Sequence, residues 1–270
     1  MKKLLITAKL PRSSYYYHLK LLNEPQRHGL ERDEIQKICI ENKGRYGYRR
    51  VTLELRHRGF RTNHKLVMKL MKQGNLACKL RQKKYHSYRG EVGKIAHNLL
   101  NRDFRALRPN TKWTTDITEF KLSGQKLYLS PILDLFNGEI ISYTLSKSPG
   151  FYQITGMLQS AFQKIPDQTH LILHSDQGWQ YQMRAYQKML KDKGIRQSMS
   201  RKGNCYDNSV MENFFGILKS EFYHNQKFSS VEHFTKELSA YIDYYNNRRI
   251  KVKLKGLSPI QFRTQSFISI

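Results

Sequence analysis

The sequence predicts an α/β core, a mixed five-stranded sheet with flanking helices, preceded by a small all-α bundle. Residues 31–74 space their apolar side chains at helical period and break at glycines, whereas residues 112–199 alternate short β-branched and aromatic runs with helical ones. The change of character falls just after Pro109. Strands followed by alternating helices and strands describe a mixed sheet covered by helices.

The helices come first. Residues 31–42 place Ile35, Ile38 and Cys39 on one face and stop at Lys43-Gly44. Residues 48–58 repeat the pattern with Tyr48, Val51, Thr52 and Leu55 and end at Gly59. Asn63 is a suitable N-cap for a third helix carrying Leu66, Val67, Leu70 and Met71, closed by Gly74. Three short helices with tight turns make residues 1–78 a helix-turn-helix-type region. Its outward faces carry Arg45, Arg49, Arg50, Arg56, Arg58, Lys65, Lys69 and Lys72. Residues 79–109 (KLRQKKYHSYRG and onward) read as a basic linker.

In the core, residues 112–120, 127–135 and 139–145 read as three strands joined by Ser-Gly and Asn-Gly turns. A helix over 151–164, a buried strand over 170–173, a helix over 180–193 closed by Gly194, and a fifth strand over 195–199 follow. The core spans 110–228, and 229–270 forms a helical and basic C-terminal extension.

Charge bounds the function. Lys and Arg number 48 against 21 Asp and Glu, a formal net charge of +27. Residues 1–110 hold 27 basic and 8 acidic side chains; the rest hold 21 and 13. Such a surplus attracts a polyanion, and the phosphate backbone of DNA is the commonest one. No apolar stretch approaches the roughly 18–20 residues of a membrane span. Cys39, Cys78 and Cys205 are isolated, which argues against a disulfide framework or a zinc site and for a reducing cytoplasm.

Three acids stand where a sheet core does not normally accept them. Asp116 interrupts the first strand, Asp176 follows the apolar run Leu171-Ile172-Leu173, and Glu212 lies in an otherwise mostly apolar helix. At 100° per residue, Met211, Phe215, Leu218 and Phe222 form one stripe, and Asn208, Glu212 and Lys219 a second beside it. Glu212 therefore leaves the helix at the margin of the buried face, and Gly216 leaves room beside it. A lone acid at such a margin is usually just solvated; three from separate elements in so basic a chain fit hard divalent cations. Two such ions can serve an in-line displacement at phosphorus.

The runs Trp113-Thr-Thr-Asp116-Ile-Thr, His174-Ser-Asp176-Gln-Gly and Asn208-Ser-Val-Met-Glu212-Asn-Phe-Phe-Gly-Ile-Leu-Lys219 resemble the integrase-type DDE transposases of bacterial insertion sequences, above all their second-frame (OrfB) product. Thirty-five residues separate Asp176 from Glu212, the spacing that names the family's signature. Tyr46-Gly-Tyr-Arg49-Arg50 and Tyr245-Asn-Asn-Arg-Arg249 with Gly256-Leu-Ser-Pro259 extend the resemblance over most of the chain. It implies an RNase H-like core, DNA 3′-end cleavage and strand transfer. Asp116, Asp176 and Glu212 would hold Mg2+, two ions per site with Mn2+ as a substitute. Lys219 would contact DNA near them, and Arg49, Arg50, Lys65, Arg201 and Lys202 are further DNA-binding candidates.

The implied partners are double-stranded DNA, further copies of the chain on that DNA, and the upstream-frame product or its frameshift fusion, with no membrane and a nucleoid-associated place of work. A nuclease of the same fold and a non-catalytic DNA-binding regulator are the alternative readings. Asn137-Gly138 replaces the Ser-Arg of many relatives, and the amino-terminal zinc pattern of retroviral integrases is missing. Among lesser residues, Asn208 reads as a helix cap, residues 200–207 as a mobile loop, and Trp113 and Trp179 as packing residues. His174 either orders a metal-bound water or satisfies backbone groups, and Asp134 is a supporting acid or a salt-bridge partner.

Overall fold

A computed structural model describes residues 5, 7, 10–23, 28–76, 78, 95–122 and 124–268. The chain divides into two units, Met1–Lys79 and Leu80–Ile270.

The first unit contains α1 (Arg12–Asn23), α2 (Gly29–Glu41), α3 (Tyr48–His57) and α4 (His64–Gln73). The apolar stripes anticipated for α2, α3 and α4 form its core: Ile35, Ile38, Val51, Leu55, Val67 and Leu70 are all buried, with Tyr46 added from the loop before α3. Asn63 caps α4 by accepting the Lys65 N–H at 2.9 Å. Gly59 ends α3 at φ +88°, a left-handed conformation that suits glycine, and lets the Phe60 N–H return to Leu55 O at 2.9 Å. Arg58 does not face outward. Its guanidinium meets Glu34, Glu41 and Glu54 and ties α2 to α3, because three acids on two helices surround it. The α1 helix has no counterpart in the sequence pattern, since the run Tyr15-Tyr16-Tyr17 hides any period.

The second unit is built on β1 (Lys112–Thr115), β2 (Thr118–Leu122), β3 (Gln125–Asp134), β4 (Ile140–Ser146), β5 (Ile172–Ser175) and β6 (Arg196–Met199). Across the sheet, β4 pairs with β3, β3 with both β1 and β2, β1 with β5 and β5 with β6. The β1 and β2 segments lie end to end along the long β3, so the sheet has five strand positions. The two pairings of β5 are parallel and those of β3 antiparallel. Thus the anticipated single strand over 112–120 is broken at Asp116-Ile117.

Alternation gives each strand two faces. On one, Trp113, Thr115 and Ile132 meet α5 (Phe151–Phe162), where Ile154, Met157 and Leu158 are fully buried. On the other, Thr114 hydrogen-bonds Asn208 at the start of α8 (Ser209–Leu218). The helix anticipated over 180–193 is two: α6 (Trp179–Gln182) and α7 (Arg184–Asp192), divided at Met183, whose backbone is extended.

Each edge of the sheet is covered. Residues 96–99 line β6, with Met199 N–H donating to His97 O and Leu99 N–H to Ser198 Oγ at 2.9 Å. This part of the anticipated linker therefore belongs to the core unit; residues 79–94 lie outside the described residues. On the other side α9 (Val231–Asn247) offers Asn246, whose amide donates to Ile140 O and accepts from Ile140 N–H, both at 2.9 Å. The residues after α8 form a π-helical turn, Lys219–Tyr223, that buries Glu221 against Arg249 at 2.7 and 2.8 Å. From α10 (Pro259–Ile268), Arg263 reaches Asp134 at 2.6 Å and Glu139 at 2.9 Å. Asp134 is thus a salt-bridge partner. Lys251 Nζ fills the space beside Gly138, where φ is +71°.

Candidate active site

The broken strand and its parallel neighbour create the site. Lys112, Trp113 and Thr114 stand opposite Ile172, Leu173 and His174. Two residues further along this register, Asp116 comes beside Asp176 at the carboxyl ends of adjacent parallel strands, where open α/β sheets present ligand groups. Asp116 ends its own strand: its Oδ1 accepts the Ile117 N–H at 2.7 Å, which takes that donor away from the ladder. Asp176 Oδ1 accepts the Gly178 N–H at 2.9 Å. A side chain at Gly178 would press on both the Asp176 carboxylate (3.0 Å) and Gln180 Oε1 (3.1 Å).

Four glutamines fix the segment after Asp176. Gln177 donates to Ser200 O, Gln180 to Pro149 O, Gln182 to Gln177 O and Gln197 to Tyr181 O, at 2.5–2.9 Å. Sequence reasoning misses this ladder, since an isolated glutamine carries no periodic signal.

The two aspartates are recessed, and burial pushes both carboxyls above their ordinary range. On Asp116 the charge of Asp176 adds to the rise, Glu212 adds less, and Lys219 opposes it. Glu212 is exposed in the first turn of α8, raised by burial alone. Lys219 opens the π-helical turn, its Nζ 5.6 Å from the centre of the Phe120 ring. The structure therefore sets Asp116 and Asp176 side by side, and the charges of both Glu212 and Lys219 reach Asp116, that of Glu212 the more strongly, although the Glu212 side chain is exposed at the rim. Among the described residues, no three His, Cys, Asp or Glu side chains are gathered closely enough to hold an ion alone.

Asn208 occupies the N-cap position of α8 but does not cap it. Its side-chain oxygen accepts from Thr114 Oγ1 at 2.8 Å instead, joining α8 to β1. His174 lies buried between Ser198 (2.8 Å) and Ser200 (3.3 Å), and burial pushes its pKa down to about 4. It is a neutral link between β5 and β6, and its partners are two serine hydroxyls and the backbone of Asp207. Trp113 is buried as expected; Trp179 is 54% exposed and does not serve the core.

Residues 200–208 are held, not free. Asp207, buried at the end of this loop, accepts from Arg201 through Nε (2.9 Å), Nη2 (3.0 Å) and the backbone N–H (3.0 Å), from Arg102 (3.0 Å) and from Asn98 (3.0 Å). These donors, Arg201 foremost, hold its carboxyl far below the usual range. Arg201 is thereby spent on its own loop, while Lys202 is exposed. In the first unit, Arg49 and Lys65 are exposed, and Arg50 turns back to Arg45 O at 3.2 Å over the Tyr46 ring.

Comparison with known proteins bears on this arrangement. Two family models described as Integrase core domain match residues 106–205 and 212–267, and one described as HTH-like domain matches 26–84. The putative transposase InsK for insertion sequence element IS150 of Escherichia coli (strain K12) is 53% identical over 268 residues, covering 99% of this chain and 95% of that protein. This chain belongs to the insertion-sequence transposases with an integrase core. The transposase is also 36% identical over 244 residues to the transposase for IS904 of Lactococcus lactis subsp. lactis (strain IL1403), covering 88% of this chain and 96% of that one. Its fold is that of integrase cores, RNase H-like: the simian T-cell lymphotropic virus intasome structure, in complex with a PP2A regulatory subunit, matches at TM-score 0.51 and 19% identity. That match covers 85% of this chain and 74% of the viral one. The transposase is thus a polynucleotidyl transferase that acts on DNA in transposition. None of its described helices is long and apolar enough to cross a membrane.

Proposed function

We propose that Asp116, Asp176 and Glu212 are the catalytic carboxylates of this transposase and hold divalent cations, Mg2+ with Mn2+ as a substitute and two per site. The observation that carries this reading is the aspartate pair. Each aspartate gives one oxygen to a backbone N–H, and the other accepts no hydrogen bond from the described residues. Two acids side by side with unfilled oxygens repel one another, so they do not favour the fold; hard oxygen donors of this kind fit Mg2+, which completes its shell with water and phosphate. Bound ions would activate an attacking oxygen and steady a leaving one.

The chain's own groups do the rest. The β1 and β5 strands set the aspartates at a fixed spacing, the glutamine ladder keeps the Asp176 segment rigid, and Glu212 at the rim completes the set as DNA enters. Lys219, beside Asp116, receives a phosphate of the element end. A water attacks phosphorus in line, the P–O3′ bond breaks and the element's 3′ oxygen leaves, taking up a proton; that 3′-OH then loses its proton and attacks a target phosphodiester, whose own P–O3′ bond breaks to leave a target 3′-OH. Arg49, Lys65 and Lys202 are the exposed candidates for backbone contact; Arg50 and Arg201 contact DNA only by leaving their present partners. Residues 1–78 grip element ends, 110–228 catalyse and 229–270 buttress the core, which residues 96–99 of the anticipated 79–109 linker already join. Copies of the chain assemble on DNA, with the upstream-frame product or its fusion supplying further end recognition in the bacterial nucleoid.

Labelled element-end DNA, a target plasmid and Mg2+ test the reading. Joined strands are expected, absent with Asp116→Asn, Asp176→Asn or Glu212→Gln; hydrolysis without joining, or joining that survives these substitutions, overturns it.

A further inference from the structure

Beneath the aspartate pair lie two tyrosines with spare hydroxyls. Tyr181 and Tyr186 are 1% and 0% exposed, and neither hydroxyl has a hydrogen-bond partner among the described residues. Such orphans are costly and rare in native proteins, and two of them share one place. Their rings meet edge to face, centroids 5.5 Å apart at 66°. The extended backbone of Met183 (ψ 137°) makes this possible by separating α6 from α7, so that both rings enter the core.

The place is next to the carboxylates. A Cβ added to Gly178 would stand 3.3 Å from Tyr181 Cδ2 and 3.0 Å from Asp176 Oδ1, so ring edge and carboxylate converge on one point. Burial first, and then the charges of Asp116 and Asp176, hold Tyr181 far above its ordinary pKa; on Tyr186 the charge of Asp176 acts after burial. A tyrosine hydroxyl is protonated at physiological pH in any case, so both are donors. Thr115 also bears on the Tyr181 hydroxyl, but outside hydrogen-bond geometry; its own proton goes to Pro131 O at 2.8 Å, so toward Tyr181 it is an acceptor only. The backbone of Tyr181 is pinned, its N–H to Gly178 O at 3.0 Å and its carbonyl by Gln197 at 2.7 Å. The ring is thereby held in place, and the charges of both aspartates reach its hydroxyl.

We propose that Tyr181 is a positioning residue of the aspartate pair, its hydroxyl donating to a carboxylate oxygen of Asp116 or Asp176 when the remaining oxygens turn to a divalent cation. This rests on the reading of the pair as cation ligands. A donor behind a ligating carboxylate fixes the orientation of its oxygens, and removal of such a partner typically weakens metal affinity about 10–100-fold. Tyr186 holds the ring from its edge.

The test is Mn2+ binding to the full chain by titration calorimetry, for wild type, Tyr181→Phe and Asp116→Asn, with melting temperatures measured without metal. Tyr181→Phe keeps the ring and removes an unpartnered hydroxyl. Its metal-free melting temperature should equal or exceed that of wild type, while Mn2+ affinity falls about tenfold. Strand transfer by this variant should return to near the wild-type rate at saturating Mn2+. Full Mn2+ affinity in Tyr181→Phe overturns the positioning role alone, provided that Asp116→Asn abolishes binding. A loss of affinity accompanied by a clear fall in metal-free melting temperature also overturns it, and marks a packing role. Wild-type binding that persists in Asp116→Asn, or no binding by wild type, overturns the cation reading itself and the positioning role with it.

Discussion

Two acidic places in the core unit are built to opposite rules. Asp207 accepts five hydrogen bonds, four of them from Arg201, Arg102 and Asn98 side chains; Asp116 and Asp176, at neighbouring strand ends, accept one backbone N–H each. Glu221 and Asp134 follow the rule of Asp207, each buried against an arginine. An acid whose oxygens are filled by its own chain is spent on the fold. One whose oxygens are left open, next to another like it, costs stability and awaits something positive from outside. In a chain of net charge +27, arginine is abundant, yet among the described residues none pairs with either aspartate.

The sharpest way to break this comparison is to neutralise an unfilled acid. Asp116→Asn or Asp176→Asn should lower strand transfer by at least about 10²–10³-fold, the scale of losing a principal electrostatic group, yet should not lower the metal-free melting temperature. Because both folded-state pKa values are raised, the ionised pair works against the fold. Metal-free stability is greatest below the usual aspartate range and declines as pH rises through the raised values. Asparagine removes that decline, and a melting temperature that drops in both variants would contradict the distinction.

The filled acids should behave in the reverse manner. Arg249→Met leaves Glu221 buried without its partner and should cost about 3–5 kcal/mol in urea unfolding, with lost activity following lost structure. Asp207→Asn should lower the melting temperature by several degrees, a smaller effect because Arg201 and Arg102 are half-exposed and can turn to water. Protease cleavage within residues 200–208 should rise with it; unchanged cleavage would show that the loop is held by something other than this carboxylate.

The mildest test is of pH. His174 is neutral in the fold, its pKa depressed from 6.5 to about 4. The stability it contributes is present above pH 6.5 and is lost as pH falls toward 4. A melting-temperature series across that window should slope downward in wild type and less so in His174→Gln.

Much of this architecture is legible in the order of the amino acids. The apolar stripes of α2, α3 and α4 carry the first unit, and the placement of Asp176 at a strand end follows from local pattern alone, whereas the break of the first strand at Asp116 does not. What stays hidden depends on partners distant in sequence. Arg58 has the look of a DNA-facing cation because two of its three glutamates, Glu34 and Glu41, lie on α2 at separations that helical period does not connect; only Glu54, four residues before it, is within that period. Asn208 has the chemistry of a cap, yet Thr114, ninety-four residues earlier, takes its oxygen. The break of α6 from α7 at Met183 carries no proline or glycine to announce it. Trp179 reads as core from its composition, but it follows Gly178 at the site's rim, and exposure there is a matter of three-dimensional position.

The ion pair between Asp134 and Arg263 spans 129 residues, and Asn246 completes the outer edge of β4 from 106 residues downstream. During synthesis the sheet that carries Asp116 therefore emerges from the ribosome well before the segments that close it. Until those segments have emerged, Asp134 has the backbone N–H groups of Asn110 and Phe136 but no arginine, and Ile140 of β4 lacks its Asn246 partner. The catalytic core is thus closed by segments made after the sheet that carries the aspartates.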